Sequence, residues 1–111
     1  MDTLTNYRNI IRRILLELAA IPYSHGELPC IPVFDEERDS YLLVTQAWDG
    51  LRRFHGIVVH MDVIHGKIWV QRDSTNRNIV RELEEAGVPK TAIVLGFRHP
   101  RVRPLTDYAV A

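Results

Sequence analysis

The sequence predicts an α+β fold: an antiparallel β-sheet of about four strands in a meander, flanked by an N-terminal α-helix and an α-helix in the C-terminal half. Three observations carry this expectation. Apolar residues recur at helical spacing near the N-terminus, turn residues divide the middle of the chain into strand-length segments, and a second helical pattern closes on Gly87 and Pro89.

The first helix rests on Leu4, Tyr7, Ile11, Ile14 and Leu18, with Ile10, Leu15 and Ile21 beside them and Arg8, Arg12, Arg13 and Glu17 on the opposite, solvated face. Thr3 or Thr5 is the expected cap. Pro22 is the expected stop, because the residue before a proline is pushed away from helical dihedrals. A turn at Ser24-His25-Gly26 follows. From Leu28 to Phe34, Pro29 and Pro32 argue for an irregular edge strand, since proline cannot donate a ladder hydrogen bond.

Tyr41 to Trp48 reads as a stronger strand, joined through Asp49-Gly50, with Leu51 and Arg52 in the loop, to a third strand from Arg53 to Val63. Lys67 to Arg72 is the fourth. Between the last two, His65-Gly66 forms a two-residue turn in which glycine supplies positive φ at no steric cost. Ile64 then pairs with Lys67, Asp62 with Trp69 and His60 with Gln71, while Val63 faces Ile68 and Met61 faces Val70. A slip of one residue would turn Met61, Val63, Ile68 and Val70 out to water. Carried back along the meander, this register places Leu42, Val44 and Trp48 on the core face with Ile57, Val59 and Met61. Ser74 or Thr75 caps a second helix of about three turns bearing Ile79, Val80, Leu83 and Ala86. Residues 93–97 are an apolar run open between strand and buried turn. The apolar end at Tyr108-Ala109-Val110-Ala111 is expected to dock on the domain or on a partner.

With 111 residues, 46% apolar and 25% charged, a single domain over residues 1–111 with one core is expected. Fourteen basic and fourteen acidic residues cancel, which argues against tight non-specific nucleic-acid binding. The single cysteine, Cys30, excludes an intramolecular disulfide and a multi-cysteine metal site within one chain. With no secretory signal and no apolar run of membrane-spanning length, a cytoplasmic protein is expected.

Few constellations suggest chemistry. His60 and Asp62 project from one face of a strand, as a general base or a metal pair would, but two ligands do not close a metal site and a hydrogen-bonded surface pair is the simpler reading. Four carboxylates surround Arg38 in residues 34–39; a solvated turn capped by Asp35 and Asp39 and anchored by Phe34 and Tyr41 explains them. No glycine-rich phosphate loop and no nucleophile elbow is present, so neither a catalytic residue nor a cofactor is assigned. Arg98, Arg101 and Arg103 are the best candidates for phosphate contacts, without interleaved aromatics for base stacking. The mixed face of the sheet is assigned Tyr41, Leu43, Val58, His60, Asp62, Trp69 and Gln71, an aromatic and apolar composition that fits equally a protein interface or a surface covered internally by the second helix or the tail.

The hairpin, Asp73, Gly87-Val88-Pro89-Lys90, Ile93-Val94-Leu95-Gly96-Phe97, His99-Pro100 and residues 103–111 together resemble the XisI family, the fdxN element excision controlling factors of filamentous cyanobacteria. Tyr7-Arg8, Phe34-Asp35-x-x-Arg38-Asp39-x-Tyr41 and Trp48-Asp49 extend the resemblance over nearly the whole chain. Ala47 stands where the family usually has glycine, and Asn76 where it has an acidic residue. The resemblance implies a non-enzymatic accessory factor in programmed excision of a DNA element during heterocyst development. It would act with a nuclease-like XisH-type partner, while a separate recombinase cuts the DNA. Self-association is an open alternative, direct DNA contact is expected to be weak, and the competing reading is a small enzyme or ligand-binding protein using His60 and Asp62.

Overall fold

The computed structural model describes residues 2–21, 29–75 and 77–111. Two helices lie against a five-stranded sheet of order β1-β2-β3-β4-β5. The expected α+β architecture is present, with one strand more than the four expected. The anticipated stop at Pro22, the turn at Ser24-His25-Gly26 and the start at Leu28 fall outside the described residues.

Helix α1 (Thr3–Ala19) buries Tyr7, Ile10, Ile11, Ile14 and Leu15. Its cap is Asp2, not Thr3 or Thr5: the Asp2 carboxylate accepts from the Thr5 backbone N–H at 2.8 Å and from the Thr5 hydroxyl at 2.8 Å. Strand β1 (Cys30–Asp35) is the edge strand its prolines require, and it pairs antiparallel with β2 (Ser40–Asp49). β3 (Arg52–Ile64) and β4 (Lys67–Asp73) form the hairpin in the expected register from Met61↔Val70 to Ile64↔Lys67. Positive φ at His65 (49°) and Gly66 (79°) is the signature of a type I′ turn.

Beyond Met61 the register shifts, so His60 pairs with Arg72 rather than with Gln71. A second irregularity, between Leu43 and Val44, pairs Leu43 with Val59 but Val44 with Ile57, and leaves Val58 without a cross-strand partner. This reverses the faces expected for β2. Tyr41, Leu43, Thr45 and Ala47 point inward, whereas Trp48 is 63% exposed and Leu42 and Val44 lie on the outer face.

Helix α2 (Ile79–Glu85) has two turns rather than three and is capped by Asn78, whose side chain accepts from Arg81 N–H at 3.1 Å. Ser74 and Thr75 do not cap it because Asp73 organises the preceding turn. Its carboxylate accepts from the Thr75 backbone and hydroxyl and from Ile79 N–H. After the 3₁₀ turn Lys90–Ala92, β5 (Ile93–Leu95) pairs parallel with β4, so α2 serves as the crossover that a parallel connection needs. One core results, in which Tyr7, Ile11 and Leu15 of α1 and Ile79 and Leu83 of α2 cover the row Tyr41–Met61–Val70–Leu95 and its neighbours Leu43, Val63 and Ile68.

Candidate protein-interaction face

The outer face of the sheet is what the helices leave uncovered, and the register orders it into rows. Ile31, Val44 and Ile57 form one row, Val33, Leu42 and His60 a second, and Ser40, Asp62, Trp69 and Val94 a third. Of the seven residues assigned to the mixed face, His60, Asp62, Trp69 and Gln71 are here. Tyr41 and Leu43 are not: both are core residues, 0% and 1% exposed, because they face Met61 and Val59 across the ladder. Val58, the unpartnered residue of the bulge, packs against the core.

Three polar residues of this face, His60, Asp62 and Gln71, are fixed by one another. His60 Nε2 lies 2.9 Å from Asp62 Oδ1, and Gln71 Nε2 donates to Asp62 Oδ2 at 3.2 Å. Gln71 in turn abuts Gly96, where a Cβ would stand 2.3 Å from its Oε1. Both oxygens of Asp62 are therefore engaged inside the sheet. Among the described residues no three of His, Cys, Asp and Glu converge as metal ligands.

The C-terminal segment closes one flank of this face. Ala109 N–H donates to Ile93 C=O at 2.9 Å and forms a bridge with Val94, which is fully buried; Tyr108 donates its hydroxyl to Glu84 at 3.0 Å. The apolar end thus docks on its own domain, one of the two destinations expected. The three candidate phosphate-contacting arginines are not equivalent. The Arg103 guanidinium stacks 5.0 Å from the Trp69 ring centroid and donates to Leu95 C=O, so it is a structural strap. Arg98 lies over Phe97, and Arg101 is exposed.

The carboxylates of residues 35–39 are turn residues, as expected. Asp35 accepts from the backbone N–H of Glu37 and Arg38, and the Phe34 and Tyr41 rings meet at 5.7 Å. Their cationic partners come from α1 rather than from a solvated helix face: Arg8 grips Asp39 with two bonds of 2.8 and 2.9 Å, and Arg12 reaches Glu36 at 2.8 Å. The Tyr41 hydroxyl adds a third bond to Asp39 at 3.0 Å. Arg8's hydrogen bonds hold the Asp39 carboxyl below its usual range, against the opposing effect of burial.

The apolar strip at the other flank is the feature that the sequence reading missed. Ile31 (50%), Val33 (46%) and Ile57 (41%) are exposed beside the half-buried Leu42 and Val44, and beyond the polar pair Gln46–His55 on the same face Trp48 lies under the Arg53 guanidinium, 5.2 Å from its ring. Trp48 beside the Arg52-Arg53 pair was the available signal, because an aromatic and two cations at a hairpin tip have no core to serve.

The sequence matches the family profile described as XisI protein over residues 1–110. Among solved structures it is similar to the fdxN element excision controlling factor XisI from Anabaena variabilis, with 40% identity, 99% of this chain and 100% of that chain covered, and a TM-score of 0.83. It is also similar to a XisI-like protein from the same organism, at 37% identity, 97% and 99% coverage and a TM-score of 0.88. A comparison with curated protein sequences found no match. The hairpin, the paired acidic turn and the docked C-terminal segment are thus built on a sequence that the family profile spans almost end to end, and the chain belongs to the XisI family.

Proposed function

We propose that this protein is a non-enzymatic controlling factor in the programmed excision of a DNA element, acting in the cytoplasm through contact with a nuclease-like XisH-type protein. The observation that carries the reading is the near full-length similarity, at 40% identity, to a protein described as an fdxN element excision controlling factor. The geometry agrees. Asp62 spends both oxygens on His60 and Gln71, and the outer sheet face presents apolar and aromatic surface of the kind that protein interfaces use. Net charge is zero and Arg103 is occupied by Trp69, so duplex DNA is not the expected direct ligand.

The test is co-expression with the XisH-type protein of the same genome, followed by size-exclusion chromatography. Co-elution of the pair, with no gel shift of duplex DNA by this chain alone at physiological salt, is the expected result. Separate elution of two well-folded proteins would overturn the proposal, as would salt-sensitive DNA binding abolished by Arg98→Ala and Arg101→Ala.

A further inference from the structure

We propose that the apolar strip of the outer face is the surface on which two copies of this chain associate about a two-fold axis, with their β2 strands antiparallel. The strip consists of Ile31, Val33, Leu42, Val44, Ile57 and, beyond the polar pair Gln46–His55, Trp48; across β1, β2 and β3 its two rows hold no Asp, Glu, Lys or Arg, and the second meets a charge only at Arg72 of β4. An uncharged, β-branched sheet face is what aligned sheet packing uses, and charge-depleted centres mark protein interfaces. The exposed part of the strip is on the order of 500 Å², near the largest patch a monomer ordinarily shows. With its polar margin it approaches the ~800 Å² per partner of a stable interface.

Charge selects a second copy as the occupant. β2 runs from the acidic turn, where Glu37 is exposed and Glu36 is held by Arg12, to the ribbon tip, where Arg53 pairs with Trp48 on the face of the strip and Arg52, paired with Asp49, lies on the other. The strip therefore lies between an acidic end and a cationic end. A two-fold axis through its middle sets the cationic tip of each copy over the acidic turn of the other, so the attraction is satisfied twice. A chain of zero net charge also meets no long-range repulsion from its own copy. The ribbon has a structural reason to be covered. β1 pairing ends at Cys30↔Thr45 and β4 pairing at Val59↔Asp73, so among the described residues 46–55 continue as two strands only, an arrangement marginal in water.

Sedimentation equilibrium of the purified full chain tests this without the XisH-type protein, so its outcome is separate from that of the partner experiment. The wild type is expected to dimerise, and Ile57→Glu to weaken the dimer about thirtyfold or more while the circular dichroism spectrum and melt stay native. Leu16→Glu, on the exposed side of α1, should leave the dimer unchanged. Arg53→Glu and Glu37→Arg should each weaken association, and the double variant should restore it. Should Ile57→Glu fail to fold, slower amide exchange in residues 40–49 of the wild type at high than at low concentration supplies the same information. A monomeric wild type, a dimer indifferent to Ile57→Glu, a dimer lost on Leu16→Glu, or a charge swap that restores nothing would overturn the proposal.

Discussion

Tyr41 distinguishes a core position from an interface position more sharply than any other residue in the sheet. Its side chain has no solvent exposure, it faces Met61 across the ladder, and its hydroxyl donates to the Asp39 carboxylate at 3.0 Å. A buried aromatic ring removes ~200 Å² from water, which at ~25 cal/mol per Å² is about 5 kcal/mol. Truncation to alanine should therefore cost about 3–5 kcal/mol, a large share of the roughly 5–15 kcal/mol that stabilises a domain. Tyr41→Phe keeps the ring and loses one hydrogen bond to a charged acceptor, so about 1.5 kcal/mol and a fall in Tm of roughly 5 °C are expected. Urea titration and thermal melting followed by circular dichroism measure both. If Tyr41→Ala keeps a wild-type melt but loses association, the face assignment of β2 is wrong and the bulge at Val58 with it.

Asp39→Asn isolates the charge of the same cluster. Because the folded carboxyl is held below its ordinary value of ~3.9, wild-type Asp39 contributes stability above that pH and loses it as pH falls through the lower folded value. The stability gap between wild type and Asp39→Asn should thus be full at pH 6 and shrink on acidification below about pH 4; a gap constant with pH removes the ion pair from the account. Gly66→Val should cost ~1 kcal/mol or more in thermal melts purely from backbone strain, since a Cβ there meets nothing within 4 Å, and an unchanged Tm would contradict the I′ turn. Gly96→Ala should destabilise by about 1–3 kcal/mol, because the new Cβ displaces Gln71 and sits 3.1 Å from the Val70 carbonyl oxygen. Trp69→Ala should expose the C-terminal segment to proteolysis by removing the surface under Arg103; a wild-type cleavage rate would show that the strap bears no load.

The hairpin of residues 61–70 was legible because two independent signals agree there. Gly66 demands a turn, and the alternation of Met61, Val63, Ile68 and Val70 admits one register. β2 carries no such agreement. Tyr41-Leu42-Leu43-Val44 is apolar at both parities, so the choice of face falls to a single bulged residue on the neighbouring strand, and no local pattern announces it. β5 has three residues and pairs parallel through a crossover, so its strand character is decided by β4 rather than by its own sequence. The Arg8–Asp39 pair joins residues 31 apart in the chain. An arginine on a polar helix face reads as solvated until the fold brings the acidic turn beneath it. Of the site, the His60–Asp62–Gln71 contacts followed from strand alternation, whereas the exposed strip did not, because it depends on the faces that the bulge reverses.

The two bulges also divide the sheet into regions with different tasks. On the β4–β5 side of His60 the outer face is closed by the chain itself: Val94 is buried beneath the C-terminal segment, and Trp69 lies under Arg103. On the β1–β2 side the same face stays open, and the register change at Leu43/Val44 is what turns Val44 and Ile57 toward solvent as one row. In a regular ladder Val44 and Ile57 would have shared the core face with Val59 and Met61. Keeping Ile31, Val33 and Ile57 exposed forgoes about 1.5–3 kcal/mol of burial for each residue, reduced by the part already covered. A domain with only some 5–15 kcal/mol of stability gains nothing from that arrangement as a monomer, and recovers the difference when a second protein surface excludes water from the strip.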